Sequence, residues 1–318
     1  MPIRKSYFFL VCCLSILVLL PLFIGEYGLM ILILICINVL LASSLRISMN
    51  AGQFNFGIPA FMAIGAYGSA LMTMKLGFPP ILAFFAAGML SAIVSLIVGY
   101  PSLRIKHVYF LMLTLGFVEI VKALAIRWDS LTGGPTGLPG IPPFSIAGFK
   151  LVTKISQYYF TLFSSLVILL VLYRLEKSRF GLIIKSIEQA EDLGETVGIN
   201  TYTYKMLAFA ISSFFCGLTG SLYAHNMAFI EPTLFGFLLA IFVVVYCFVG
   251  GLDNFAGPIA GAVLLSILTE PLRGFQAYER IFFAIILVLV VIFLPGGIIS
   301  LPAKLSPSIG RLRCIKKR

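Results

Sequence analysis

Charge is scarce in this chain and histidine is scarcer: 11% of its 318 residues are charged, two are histidine and one is tryptophan. A soluble domain carries roughly 25% charged residues, so an ordinary water-facing surface is excluded and the bilayer becomes the solvent. The two histidines, His107 and His225, lie at opposite ends of apolar runs, and there is no H-E-x-x-H or C-x-x-C pair, so no metal site is expected. No G-x-S-x-G elbow is present, and no catalytic residues are expected. The G-x-x-x-x-G-K-[ST] loop is missing too, so ATP is not bound by that route, and no cofactor is implied. Strand periodicity is absent, which argues against a closed barrel. The six cysteines (Cys12, Cys13, Cys36, Cys216, Cys247 and Cys314) read as small apolar residues, five of them inside apolar runs.

What abounds is apolar sequence, 60% of the total. A spanning helix needs about 20 apolar residues. Runs of that order predict an all-α, polytopic integral membrane protein, a single transmembrane domain over residues 1–318. It has about ten spans (range eight to ten), at roughly 8–24, 29–47, 57–74, 81–100, 108–126, 158–174, 206–224, 234–250, 256–271 and 281–300. The first run, through Leu22, Phe23, Ile24 and Gly25, lacks a small-residue cleavage site and reads as a retained span. With both termini inside, most of the 23 basic residues fall on the cytoplasmic side, the exceptions being Lys75, Lys122, Arg127, Lys150, Lys154, Arg273 and Arg280. The net charge of +11 reflects this bias and a basic tail, and no nucleic-acid partner is implied. Membrane lipid is the surrounding medium.

Two Gly- and Pro-marked interruptions carry polar groups to the membrane. Gly52, Gln53, Asn55, Phe56 and Gly57 precede Pro59; Gly250, Gly251 and Asn254 precede Pro258. Both fit G-x-x-N-F-x-x-P, and non-helical backbone at membrane depth needs protein or a water-filled cavity around it. These residues are the candidate substrate pathway. The pair is either an internal repeat or a chance similarity of two Gly-rich segments. Within the external loop 127–157, the segment Asp129–Gly148 is dense in Gly and Pro, which excludes regular helix there and leaves a connector or a docking or gating surface. Small-residue clusters at Gly65–Ala70 and Gly257–Ala262 read as close helix packing. Glu119 with Lys122, and Glu270 with Arg273, are spaced i, i+3 near span ends and read as snorkelling pairs.

The one strongly charged internal segment is 174–205. Ile183, Ile187, Ala190, Gly194 and Val197 form an apolar stripe, while Glu188, Glu191, Asp192 and Glu195 make the other faces acidic. Gly181 precedes this predicted helix and Gly198 ends it. An acidic helix is repelled by anionic lipid, so insertion into a groove on a cytoplasmic partner fits better.

This segment resembles the coupling segment of bacterial ABC importer permeases, with its E-x-x-A-x-x-x-G core. Here Glu191 and Gly198 hold the ends, and Gly194 stands where the family usually has Ala, which loosens the helix by ~1 kcal/mol. The Gly52–Tyr67, Val108–Ile120, Leu131–Pro142, Val249–Ala262 and Phe293–Ile298 segments match in character and order. Together they resemble the branched-chain amino acid permeases, of the LivM type by the long external loop. The resemblance implies the ABC importer permease fold in a bacterial inner membrane. Its implied partners are a second permease subunit, two cytoplasmic ATPases and a periplasmic or lipid-anchored substrate-binding protein. It implies coupling to the ATPases through Ile187, Glu188, Ala190, Glu191, Gly194 and Gly198, and transport of leucine, isoleucine or valine. Urea and short-chain amide permeases look similar and stay open as alternatives. A stand-alone secondary transporter is the distant one.

Overall fold

The structure is a computed structural model and describes residues 17–22, 24–105, 108–146, 149–196 and 198–270. The predicted span at 281–300, most of that at 8–24, the Phe293–Ile298 motif, His107 and Arg273 lie outside the described residues. Eight apolar helices match the eight central spans: α1 (Glu26–Met49), α2 (Ile58–Met74), α3 (Pro80–Ser102), α4 (Val108–Arg127), α5 (Lys154–Lys177), α8 (Thr201–Met227), α9 (Phe237–Gly250) and α10 (Ala256–Thr269). Between α5 and α8 lie α6 (Arg179–Gln189) and α7 (Glu191–Thr196). Helices α1, α3, α4, α5 and α8 are long and apolar enough to cross a membrane; α2, α9 and α10 are shorter apolar helices. At 14 residues, α9 rises about 21 Å, less than the ~30 Å hydrocarbon layer. Phe85, Met89, Ile93 and Ile97 form an exposed apolar stripe along α3 at four-residue spacing, a face that suits lipid rather than water.

Helix α8 is the centre of the bundle and packs against α1, α2 and α3. The crossings are close because the contact residues are small. A Cβ on Gly65 would sit 2.2 Å from the Gly217 carbonyl oxygen, and one on Gly220 would sit 2.0 Å from that of Met62. Helices α9 and α10 meet the same way: a Cβ on Gly250 would lie 1.8 Å from the carbonyl oxygen of Gly257. Without a hydrophobic drive between helices in lipid, such backbone approach is a main source of cohesion. Cys216 and Cys247 are buried packing residues.

Segments sort to two ends as the alternating topology requires. At one end, Tyr202 Oη donates to the Tyr100 carbonyl at 2.9 Å, tying the start of α8 to the end of α3. At the other, Lys75 Nζ donates to the Ser130 carbonyl at 2.7 Å and the Gly140 N–H to the Ala228 carbonyl at 3.1 Å. The expectation of a helix-free external loop needs correction. Asp129–Thr132 forms one helical turn, stopped by Gly133 at φ +73°, and α5 already begins at Lys154. Two short strand pairs order the rest, Leu138–Pro139 on Phe229–Ile230 and Ser145–Ile146 on Phe149–Lys150. Buried backbone groups find these partners because unpaired ones are costly.

Substituting Gly217→Val forces a side chain against Ser91 and the Ala87 carbonyl, where a Cβ has 2.3–2.8 Å. Overpacking of this kind costs about 1–3 kcal/mol. The variant is expected to unfold at a lower temperature than the wild type in the same detergent, read by thermal aggregation.

Candidate coupling and substrate-pathway site

A fully buried arginine organises one end of the bundle. Arg46, on the last turn of α1, is 0% exposed and clasps Glu176, near the end of α5, through two bonds: Nε to Oε2 at 3.0 Å and Nη2 to Oε1 at 2.8 Å. Its Nη1 donates to the Leu252 carbonyl in the turn between α9 and α10. Lys185 on α6 shares the same carboxylate, with Nζ 2.9 Å from Oε1. The Arg46–Glu176 pair thus joins α1, α5, α6 and the α9–α10 turn. The bidentate fork fits guanidinium geometry, and a buried charge persists only when paired and hydrogen-bonded. Arg46 had counted in the sequence as one basic residue among many on the cytoplasmic side. Its partner lies 130 residues away, so no local spacing marked the pair.

The docking segment differs from the single helix predicted. It breaks at Ala190 (φ −158°, ψ 85°) into α6 and α7. Gly181 lies inside α6, not before it. The helix starts at Ser178, whose Oγ accepts from the Gly181 N–H at 3.5 Å, and a Cβ at Gly181 would strike the Glu176 carbonyl at 2.1 Å. The tight α5–α6 corner explains that glycine. At the far end Gly198 adopts φ +85°, and the Ile199 N–H closes on the Gly194 carbonyl at 3.0 Å, a helix stop of the kind the sequence suggested.

Among the predicted coupling residues, Ile187 and Gly194 are buried, Glu188 and Gly198 are exposed, and Ala190 and Glu191 are half-buried. Glu191 forms an ion pair with Lys205 at the start of α8. Two outward apolar residues had been passed over: Leu182 and Leu193 are 65% and 66% exposed. They fall off the apolar stripe, so periodicity assigned them no role.

The pathway residues divide. Gly52 turns the chain at φ +74° and faces the docking segment, where its Cβ would lie 3.7 Å from the Glu188 Cα. Gln53 and Asn55 are buried; Asn55 Oδ1 accepts from the Gly57 N–H at 2.8 Å, and the Phe56 N–H donates to Thr114 Oγ1 at 3.3 Å. The Asn50, Gln53 and Asn55 amide nitrogens are buried without partners. A cavity of about 480 Å³ lies between this turn and the docking segment, lined by Gly52, Gln53, Arg104, Glu188, Lys205 and Leu252, among others. Gly250 and Gly251 are buried at the α9–α10 crossing and Asn254 is exposed; none of the three lines this cavity. Phe54 and Phe248 stack at 6.4 Å and link the two interruptions. A second cavity, of about 470 Å³, opens between α1, α8, α9 and α10, with Asn38 Nδ2 donating to Ser266 Oγ at 3.0 Å on its wall.

At the opposite end His225 is 1% exposed. Its Nδ1 donates to the Pro142 carbonyl at 2.6 Å and its Nε2 lies 2.7 Å from Ser69 Oγ, which is 2.7 Å from Ser221 Oγ. This chain of bonds staples the loop between α4 and α5 onto α2 and α8. Its partners lie 83 and 156 residues away, which hid the role from sequence. Lys122 and Glu119 pair at 3.0 Å as their spacing predicts. Among the described residues no cluster of metal-ligating side chains occurs.

These features define an all-α polytopic membrane protein, with apolar helices facing lipid and a polar, hinged segment at one end. The chain belongs to the family described as branched-chain amino acid transport system, permease component, which matches residues 27–291. The permease protein LivM of the high-affinity branched-chain amino acid transport system of Salmonella typhimurium is 27% identical over 93% of this chain and 76% of its own length, and the Escherichia coli LivM protein matches to the same extent. The guanosine ABC transporter permease protein NupQ of Bacillus subtilis is 27% identical over 59% of this chain and 64% of its own. No solved structure matches the chain. A permease of this family is a non-enzymatic subunit that works with ATPase and substrate-binding partners.

Replacing Glu176→Gln strands the Arg46 charge. Breaking a buried pair costs about 3–5 kcal/mol, so this variant is expected to lose most of its folded yield in detergent, measured by size-exclusion recovery. Gly194→Ala has the opposite sign. Its Cβ meets only Thr201 Cγ2 at 3.6 Å and Ile187 Cγ1 at 4.0 Å, so about 0.5–1 kcal/mol of helix stabilisation is expected, seen as slower amide exchange in α7.

Proposed function

We propose that this chain is a permease subunit of an ATP-driven importer that carries branched-chain amino acids across the bacterial cytoplasmic membrane, with both termini in the cytoplasm. The observation that carries the reading is the docking segment: two short helices tied to the bundle by the Lys185–Glu176 and Lys205–Glu191 pairs, with Leu182 and Leu193 turned outward. Outward leucines suit a groove on a partner, and the family supplies an ATPase as that partner. The full assembly has two ATPases, a second permease and an external substrate-binding protein. Nucleotide-driven movement of α6 reaches α1 and the α9–α10 turn through Lys185, Glu176 and Arg46, converting ATPase state into inward or outward opening.

The LivM relatives favour leucine, isoleucine and valine. The guanosine permease relative supports a nucleoside as the second reading. Urea and short-chain amides rest on resemblance alone.

Reconstituted into liposomes with its partner subunits, the chain is expected to import leucine only when ATP is supplied on the ATPase side. Leu182→Asp with Leu193→Asp is expected to lower import at least about tenfold, since apolar anchors dominate such contacts, with permease yield unchanged. Import that persists without the ATPases sinks the reading. So does full ATP-driven import after substituting both Glu191 and Gly198. Guanosine, and not leucine, accumulating in the liposomes would select the nucleoside reading.

A further inference from the structure

We propose that the cavity between the Gly52 turn and helices α6–α7 is an inner-face binding site for a zwitterionic amino acid with an aliphatic side chain, and that the docking segment forms one of its walls. The inference deepens the proposed function and rests on it for the direction of transport. Pathway residues and coupling residues, read separately in the sequence, meet here: Gly52 and Gln53 line the cavity together with Ile187, Glu188, Glu191 and Asp192.

The lining chemistry fits both charges of such a solute. Gln53 is 4% exposed; its Oε1 accepts from Ser48 Oγ at 3.3 Å, and its Nε2 has no partner. A buried donor without an acceptor calls for one, and a carboxylate supplies it. Arg104 also lines the cavity. Its guanidinium lies 4.5 Å over the Tyr100 ring, and among the described residues it makes no ion pair. Stacking leaves the in-plane N–H donors of a guanidinium available for a planar carboxylate. Lys205, also in the lining, is taken up by Glu191, which leaves the exposed Glu188 and Asp192 carboxylates for an ammonium group. Met49, Phe54, Leu103, Phe110 and Leu252 supply apolar wall for the side chain. A volume of about 480 Å³ lies within the range of small-molecule sites.

The lining also separates the substrate classes. A nucleoside or urea carries neither charge and would leave Arg104, Glu188 and Asp192 unmatched. An amino acid engages all three, and its ammonium then touches the helix pair that the ATPase meets.

The test is equilibrium binding of labelled leucine, leucinamide, N-acetylleucine and guanosine to the purified transporter assembly, without its external binding protein and without nucleotide. Saturable leucine binding is expected. Leucinamide, lacking the carboxylate, and N-acetylleucine, lacking the ammonium, are each expected to bind about tenfold more weakly or worse, the scale of one lost charge-assisted contact. Arg104→Gln is expected to weaken leucine by a similar factor and to leave leucinamide unchanged. The proposal is overturned by absence of saturable leucine binding, by leucinamide binding as tightly as leucine, by guanosine binding more tightly than leucine, or by Arg104→Gln weakening both leucine ligands equally. ATP-driven import by the same assembly in liposomes, with the external binding protein and ATP restored, separates the two readings. Import without leucine binding rejects only this site, and absence of import of any tested solute rejects the proposed function itself.

Discussion

The end of this bundle that carries α6 and α7 depends on one carboxylate. Glu176 sits where four segments converge, and Arg46, with no solvent of its own, has nowhere else to place its charge. In a low-dielectric setting a charge and its partner stand or fall together, so α1 and α5 hold a fixed relation at that end. The third arm is different. Lys185 is 37% exposed and can leave Glu176 for water, while Arg46 keeps the other oxygen. The permanent contact and the releasable one share an acceptor, so the position of α6 bears on the clasp without the clasp having to open.

The rest of the molecule is built to stay rigid around that point. Helix α8 is threaded between α1, α2 and α3 by crossings that admit no Cβ at Gly65, Gly217 or Gly220. Such contacts resist sliding, because closely packed backbones have few alternative registers. The docking segment has a hinge at Ala190 and ends in a left-handed glycine. On the proposed reading, motion enters where the structure is segmented and travels through charged contacts, while the glycine-packed core moves as a body. The opposite end has its own anchor in the buried Ser221–Ser69–His225–Pro142 chain.

Much of this was legible in the order of residues, and the illegible part has a common cause. The eight central helices follow from length and apolarity, because in lipid a backbone has few other ways to satisfy its polar groups. Gly198 as a helix stop and Glu119–Lys122 as a pair were legible because both are local. Arg46–Glu176 and His225–Ser69 were not, because their partners are distant in sequence and only the fold brings them together. The stripe from Ile183 to Val197 suggested one continuous helix. It missed the break at Ala190, which α7 compensates through the Lys205–Glu191 pair and the Thr201 hydroxyl bonded to Glu195 Oε1 at 2.9 Å. Of the predicted pathway residues, Gly52 and Gln53 border a cavity, while Asn55, Phe56 and Gly57 are not among its lining. Gly250 has a packing role that glycine content alone cannot distinguish from a pathway role.

The central claim is that α6 and α7 are the surface on which an ATPase acts. The most direct measurement is photocrosslinking in membranes, with a photoreactive amino acid placed at Leu193 on the docking segment and, in a second preparation, at Phe149 at the opposite end of the bundle. The account predicts a covalent product with the ATPase subunit from Leu193 and none from Phe149. A product with the ATPase from Phe149, or none from Leu193 in an assembly that retains its ATPases, would contradict it.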